Sequence, residues 1–188
     1  DDDACGEASN QEIIRRYYAA LNGLAEGTAQ EEEAFKIELL MKQAHITVED
    51  RKVGDAALKR AEETNGPAAA MELPNGQIIT GKTSCLLGAS SALLLNALKN
   101  LAGLNDELHL ISPSVIEPIQ KLKTEYLGSI NPRLHTDEIL IALSICAATD
   151  DNAKLALEQI PKLSGCQAHT SVMLSSVDIK QFKRLNVR

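Results

Sequence analysis

The sequence predicts an α/β protein in two parts: a helical subdomain over residues 1–66, then a subdomain over 67–188 built on a mixed sheet with helices on its faces. Three observations carry this reading. Apolar residues recur at helical spacing through the first third, with Ile13, Ile14, Tyr17, Tyr18 and Leu21 as the clearest stripe. Pro67 ends that pattern, and two short β-rich runs flank Pro74-Asn75-Gly76, where Asn-Gly is the strongest short hairpin signal. Helical and strand patterns then alternate to the C-terminus.

Each element has its own signature. Residues 11–24 form a helix closed by Asn22-Gly23. Thr28-Ala-Gln-Glu31 reads as a capping box opening a second helix, with Ala34, Phe35 and Leu39 in one stripe and Ile37, Leu40 and Met41 beside it. Thr47-Val-Glu-Asp50 is a second box, opening a helix through Val53, Ala57, Leu58 and Ala61. Asn65-Gly66-Pro67 stops it, because Gly tolerates the left-handed cap and Pro cannot continue a helix. Strands at 68–73 and 77–80 make the hairpin, and a helix runs from about 84 to 100. A strand at 107–111 precedes an Ile- and Leu-rich helix ending at Tyr126, and Asn131-Pro132 marks a loop. Residues 137–148 read as an almost wholly apolar helix, expected to be buried on most sides. A helix at 152–160, a strand at 167–174 and a helix at 177–185 complete the order β-β-α-β-α-α-α-β-α.

Composition narrows the function. The chain has 188 residues, 44% hydrophobic and 24% charged, enough to fold around its own core. With 19 Lys+Arg against 26 Asp+Glu, its net charge of −7 makes it a poor counter-ion for a phosphate backbone, so nucleic acid is excluded as a broad partner. No Trp, two Phe and three Tyr leave too few aromatics for a base-stacking platform. The longest apolar stretch, 139–148, is broken by Ser144 and too short for a bilayer, so no membrane partner is expected. Cys5, Cys85, Cys146 and Cys166 form no C-x-x-C pair, which points to reduced thiols in a cytosol rather than a zinc site or a disulfide framework. The chain starts at Asp1 without an initiator Met, and a trimmed piece of a longer protein is expected.

Three junctions share one design, a strand running through a hydroxyl-rich turn into a helix: Thr80-Gly81-Lys82-Thr83-Ser84, Ser112-Pro113-Ser114 and Ser175-Ser176-Val177-Asp178. Helix N-termini there present free N–H groups and a partial positive charge that favour an anion, and Lys82 adds a full charge. Each hydroxyl alone is equally an N-cap; gathered around Lys82 they would form a shared anion pocket. Gly76 to Thr83 matches the Walker A pattern letter for letter. Its first residues read as a hairpin turn and a strand, however, and an extended strand cannot wrap a phosphate with consecutive N–H groups. Nor does the strand at 107–111 end in an Asp to hold magnesium. The small residues Gly88-Ala-Ser-Ser-Ala92 are read first as letting their helix lie close to the sheet, with close backbone approach by a ligand as the alternative.

Asn131-Pro-Arg-Leu-His-Thr-Asp-Glu138 is the densest polar cluster. Thr136 reads as a cap, with Asp137 and Glu138 complementing the helix dipole. Capping leaves Arg133 and His135 unexplained: Arg133 can grip a carboxylate or phosphate with two prongs, and His135 can exchange a proton near neutral pH. His135, Asp137 and His169 are metal-ligand types without metal-site spacing, so no metal is predicted. His109 and His169 read as framework residues in strands and His45 as a helix-end cap. Cys85 sits where a thiol pKa falls, but no base stands at a fixed spacing to make it a nucleophile.

Several longer strings carry a resemblance: Gln11-Glu-Ile-Ile-Arg-Arg-Tyr-Tyr18, Gly81-Lys-Thr-Ser84 leading into Leu86-Leu-Gly-Ala-Ser-Ser91, Leu110-Ile-Ser-Pro113 with Val115-Ile-Glu-Pro-Ile119, Asn131 to Glu138, and Leu157-Glu-Gln-Ile-Pro-Lys-Leu163. On these the chain resembles the bacterial domain-of-unknown-function family 1846, also called uncharacterised protein family 0371. The resemblance covers nearly the whole chain and the C-terminal part of a much longer family protein. It implies a helical segment followed by a three-layer α/β/α subdomain of cytidine-deaminase-like topology. It brings no established activity, and the deaminase zinc motifs H-x-E and P-C-x-x-C are absent from this sequence.

The expected function is therefore binding of an anionic, phosphorylated small molecule, with no cofactor indicated. Lys82, Thr83, Ser84, Ser112 and Ser114 are the expected anion ligands, Arg133 orients the substrate, and His135 is the acid or base. The alternative is a non-catalytic assembly domain forming a homo-oligomer through the helices of residues 10–64. A P-loop-like nucleotide site over 76–83 is a lesser alternative.

Overall fold

The computed structural model describes residues 2–188 and separates into two compact units, one ending at Asp55 and the other spanning Ala56–Arg188. In the first, α1 (Asp2–Ala25) and α2 (Glu31–Ala44) pack on each other, followed by a single 3-10 turn (Val48–Asp50). Ile14, Met41 and Ile46 form its small core, with Ile13, Tyr17, Tyr18 and Ile37 against them. Ile13, Ile14, Tyr17 and Tyr18 of the expected α1 stripe pack into this core, but α1 starts nine residues earlier than the apolar pattern does (Asp2 against Gln11). In α2 the core is met by Ile37 and Met41 and Ala34 is buried, while Phe35, Leu39 and Leu40 are exposed. Thr28 caps no helix start. Its hydroxyl instead donates to the Gly23 carbonyl at 3.3 Å, and α2 begins at Glu31 behind Gln30. The second box does form: the Asp50 carboxylate accepts the Thr47 N–H at 2.7 Å. The division between units falls inside α3 (Lys52–Thr64), whose end is marked by Asn65 in the left-handed region at φ 49°.

The second unit is a mixed α/β structure around a small sheet. β1 (Ala68–Glu72) and β2 (Ile78–Lys82) form the hairpin, with Gly76 at φ 80° in its turn, where a side chain is disfavoured. β3 (Gln167–Thr170) adds on the other side of β1, giving the order β2-β1-β3 with both pairings antiparallel. The expected mixed sheet is thus an antiparallel one of three strands among the described residues. Residues 107–111 form no strand. Asn105 turns the chain by accepting the Glu107 N–H on its side chain at 2.8 Å, and Leu110 and Ile111 are buried in the core as loop residues. The alternation that suggested a strand is that of a loop plugging a core. A sheet of three antiparallel strands does not establish the cytidine-deaminase-like topology that the resemblance implies.

α4 (Ala89–Leu101) lies across β2 and β1. The residues on which it rests are small: Ala69 of β1 is paired with Gly81 of β2, and a Cβ on Gly81 would collide with the Leu93 backbone and lie 2.8 Å from the Ala89 carbonyl oxygen. Asn96 Nδ2 donates to the Thr80 carbonyl at 3.0 Å, fixing the helix along the strand. α4 is set five residues after Ser84, later than the sequence pattern suggested, with Gly88 as N-cap. α5 (Pro113–Lys121) follows and widens into a π-helical turn over Leu122–Tyr126. α6 (Thr136–Cys146) and α7 (Asp151–Leu157) pack on α4, and α8 (Ser176–Arg184) packs on α6. α6 is less buried than its composition implies: Ile139, Ala142 and Leu143 face the core, but Ile141 and Ile145 are exposed. Among the described residues no helix is long and apolar enough to cross a membrane.

Gly81→Ala is expected to destabilise the second unit by about 1–3 kcal/mol, because α4 must move off the sheet to admit one methyl group. Urea denaturation measures this. An unchanged midpoint would show that α4 does not rest where Gly81 places it.

Candidate functional site

The loop at 84–88 and the loop at 131–135 meet backbone to backbone. The Leu134 N–H donates to the Leu86 carbonyl at 3.0 Å, and the Leu134 carbonyl accepts the Gly88 N–H at 3.4 Å and the Ser91 hydroxyl at 2.8 Å. Leu134 is 1% exposed, so its side chain anchors the junction in the core. This bridge sets the starts of α4 and α6 side by side. α8 brings its own start against α6, since Asp178 accepts both the Thr136 N–H (3.0 Å) and the Thr136 hydroxyl (2.7 Å). A cavity of about 240 Å³ opens between the three helix starts. Thr83, Ser90, Ser91, Arg133, His135 and Asp178 supply its chemistry, and Pro67, Val172, Met173 and Leu174 an apolar wall.

The best-ordered feature is the group around Asp178. Its Oδ2 accepts the Ser175 hydroxyl at 2.8 Å and lies 3.4 Å from His135 Nδ1. Burial alone would raise the Asp178 carboxyl, but the hydrogen bonds from Thr136 and Ser175 and the neighbouring His135 outweigh it and hold the pKa below the usual carboxylate value. An ionised carboxylate only accepts, so the favourable partner for it is an Nδ1 that carries a proton. A His135 whose Nδ1 proton faces that carboxylate would leave on Nε2 the lone pair that a general base needs. Ser175 is also 3.4 Å from Nδ1 rather than Nε2, so the three do not form a nucleophilic serine triad.

A second network holds the loop that carries Arg133 and His135. Lys123, buried within the π-helical turn, donates from Nζ to the Arg133 carbonyl at 2.6 Å and to Glu138 Oε2 at 2.7 Å. The same Glu138 oxygen accepts the His135 N–H at 2.7 Å. Arg133 Nε donates to the Ser84 carbonyl at 2.7 Å, and its terminal nitrogens make no hydrogen bond among the described residues. The guanidinium is thus held at one nitrogen while its two-pronged face stays free for an anion.

Of the residues expected from sequence, Thr83, Arg133 and His135 line this cavity, and Lys82, Ser84, Ser112 and Ser114 do not. Lys82 is the exposed last residue of β2, next to the inward-facing Gly81. The Ser84 hydroxyl accepts the N–H groups of Leu86 and Leu87, closing a local turn. Ser112 and Ser114 hydrogen-bond each other at 2.6 Å at the start of α5. The Walker-like string forms no phosphate loop, because it runs through the hairpin turn into β2, whose backbone pairs with β1. His169 is in β3 as expected, but His109 is in the loop rather than a strand. Among the described residues no three His, Cys, Asp or Glu side chains are grouped to hold a metal. Ser175 and Asp178 lie in the third expected junction, and Ser90 and Ser91 in the run of small residues, but none of the four was expected as a site residue. The S-x-x-D spacing of Ser175 and Asp178 was the available signal, and it reads locally as a helix start.

Two family models match this chain: the domain of unknown function DUF1846, C-terminal, over residues 49–188, and its N-terminal counterpart over residues 1–45. The chain is 57% identical along its whole length to a UPF0371 protein of Corynebacterium aurimucosum. It is 52% identical to one of Corynebacterium efficiens and 49% to one of Streptococcus uberis. In each case it spans about 38% of the relative's length.

The lowered pKa of Asp178 has a sign that can be checked. A carboxyl depressed in the folded state stabilises the fold fully above its unfolded value and loses that contribution as pH falls through the folded one. Asp178→Asn is therefore expected to lower stability at pH 7 by about 1–3 kcal/mol, with the gap to the parent closing below about pH 4. Denaturation curves that stay parallel from pH 7 to pH 3 would contradict the assignment.

Proposed function

Because the chain belongs to the DUF1846 family, whose matched relatives carry only the name UPF0371, we propose its function from the site: the second unit binds an anionic, phosphorylated small molecule in the cavity, as part of an enzyme active site. The observation that carries this is the convergence of Arg133, with its two-pronged face free, and His135, backed by Asp178, on one cavity at three helix starts. Helix N-termini and a guanidinium favour a phosphoryl group, and a histidine steered by a carboxylate moves a proton. In this reading Arg133 orients the ligand, Thr83 adds a hydroxyl contact, and His135 Nε2 acts as acid–base. Lys82 has no part in it.

A thermal-shift screen of nucleotides and sugar phosphates on the full-length protein tests the reading. A ligand is expected to raise the melting temperature, Arg133→Gln to weaken it about tenfold, and Lys82→Ala to leave the shift intact. His135→Asn keeps binding and loses turnover. If no phosphorylated compound stabilises the protein, the reading fails.

A second reading concerns the first unit. Phe35, Leu39 and Leu40 of α2 are exposed, Phe35 at 65%, and Phe35 and Leu39 share a face four residues apart. This favours the assembly role, with α2 packing on a second copy. Sedimentation velocity on the full-length protein is expected to show a dimer that Phe35→Ser with Leu39→Ser converts to monomer. An unchanged sedimentation coefficient would exclude α2 as the interface.

A further inference from the structure

The three helix starts around the cavity are not equally finished. α6 is closed by Asp178, which takes the Thr136 N–H, and by Asp137, whose carboxylate accepts the Glu138 N–H at 2.9 Å. α8 is closed by Ser175, whose hydroxyl accepts the Asp178 N–H at 3.2 Å. α4 has neither device. Its N-cap is Gly88, which has no side chain to turn back, and no side chain caps its first turn. The N–H groups of Ala89, Ser90 and Ser91 have no acceptor inside the helix, and these three residues line the cavity.

An independent observation falls at the same place. Ser90 is only 6% exposed and lines the cavity, yet its hydroxyl makes no hydrogen bond among the described residues. Its neighbour Ser91, similarly buried, gives its hydroxyl to the Leu134 carbonyl. The Ser90 oxygen is not sealed off by protein, so within this largely buried residue the hydroxyl is left open to an atom in the cavity.

Resting on the function proposed above, we infer that the ligand's phosphoryl group sits on the first turn of α4, its oxygens accepting from the N–H groups of residues 89–91 and from the Ser90 hydroxyl, with the Arg133 guanidinium closing over it. The cavity also holds a negative charge in Asp178, which repels a second anion beside it. The ligand class is accordingly a phosphomonoester whose remainder is uncharged where it meets His135, such as a hydroxyl-bearing group. A cavity of about 240 Å³ has room for the phosphoryl group and a small remainder.

Calorimetric titration of the full-length protein with inorganic phosphate and with glycerol phosphate, repeated for Ser90→Ala and Arg133→Gln, tests this. The expected result is that both probes bind, the ester more tightly, and that each substitution weakens both about tenfold. Ser90→Ala removes one oxygen, so its melting temperature without ligand should match the parent's. Binding weakened by Arg133→Gln but untouched by Ser90→Ala would overturn the α4 seat while leaving the anion reading in place. Free phosphate binding more tightly than the ester would overturn the phosphomonoester class. No binding by either probe would overturn the seat and the proposed function together.

Discussion

One residue's backbone joins the parts of the site. Leu134 gives its N–H to Leu86 and takes the Gly88 N–H and the Ser91 hydroxyl on its carbonyl, while its side chain is buried in the core. That short parallel contact fixes where α4 and α6 begin relative to each other. The chain of constraints extends both ways. Gly81, paired with Ala69, lets α4 sit close on the sheet, and Thr136, two residues after Leu134, hands the position on to Asp178 and α8. Moving the 131–135 loop by one residue would exchange the buried Leu134 for a polar neighbour and separate the helix starts together.

The electrostatics follow from this geometry. The chain is negative overall at −7, but the charges around the cavity are placed rather than averaged. Asp178 occupies the α6 N-terminus and keeps its charge there through the hydrogen bonds it accepts. Lys123 and Glu138 form a largely buried pair that carries no charge to the cavity and holds the loop instead, through the Arg133 carbonyl and the His135 N–H. Removing either partner would strand the other, so the pair's structural weight exceeds what its attraction alone suggests. What remains open is the positive end of α4 and the free face of Arg133, both lining the cavity.

The sequence was informative wherever the relevant interaction is local. The hairpin turn, the α1 stripe and the stop at Asn65 are all set by neighbouring residues, and the structure shows them, whereas Phe35 and Leu39 of the expected α2 stripe lie exposed. Arg133 stood out because capping could not account for it, whereas His135, and not Thr136, proves to be the N-cap of α6, its N–H held by Glu138. Lys82 was misleading for a reason of period: side chains alternate along a strand, and since Gly81 faces α4, Lys82 faces away. Asp178 and Ser90 lie in strings that the sequence marks as a helix start and as close packing, and their contacts are not legible there. Asp178 satisfies a helix-start pattern of its own, and its contact with Thr136 spans 42 positions. Ser90 sits in a run of small residues that reads as packing, and only the absence of a partner for its hydroxyl distinguishes it. The loop at 107–111 shows the same limit, because burial in a core and pairing in a sheet select similar residues.

The function proposed for the second unit depends on where a tetrahedral oxyanion sits. An anomalous difference map from crystals of the full-length protein soaked in selenate locates it directly. The predicted result is a peak within hydrogen-bonding distance of the Ala89, Ser90 and Ser91 N–H groups and the Ser90 hydroxyl. A peak at Lys82 or between Ser112 and Ser114, with the first turn of α4 left bare, would contradict it.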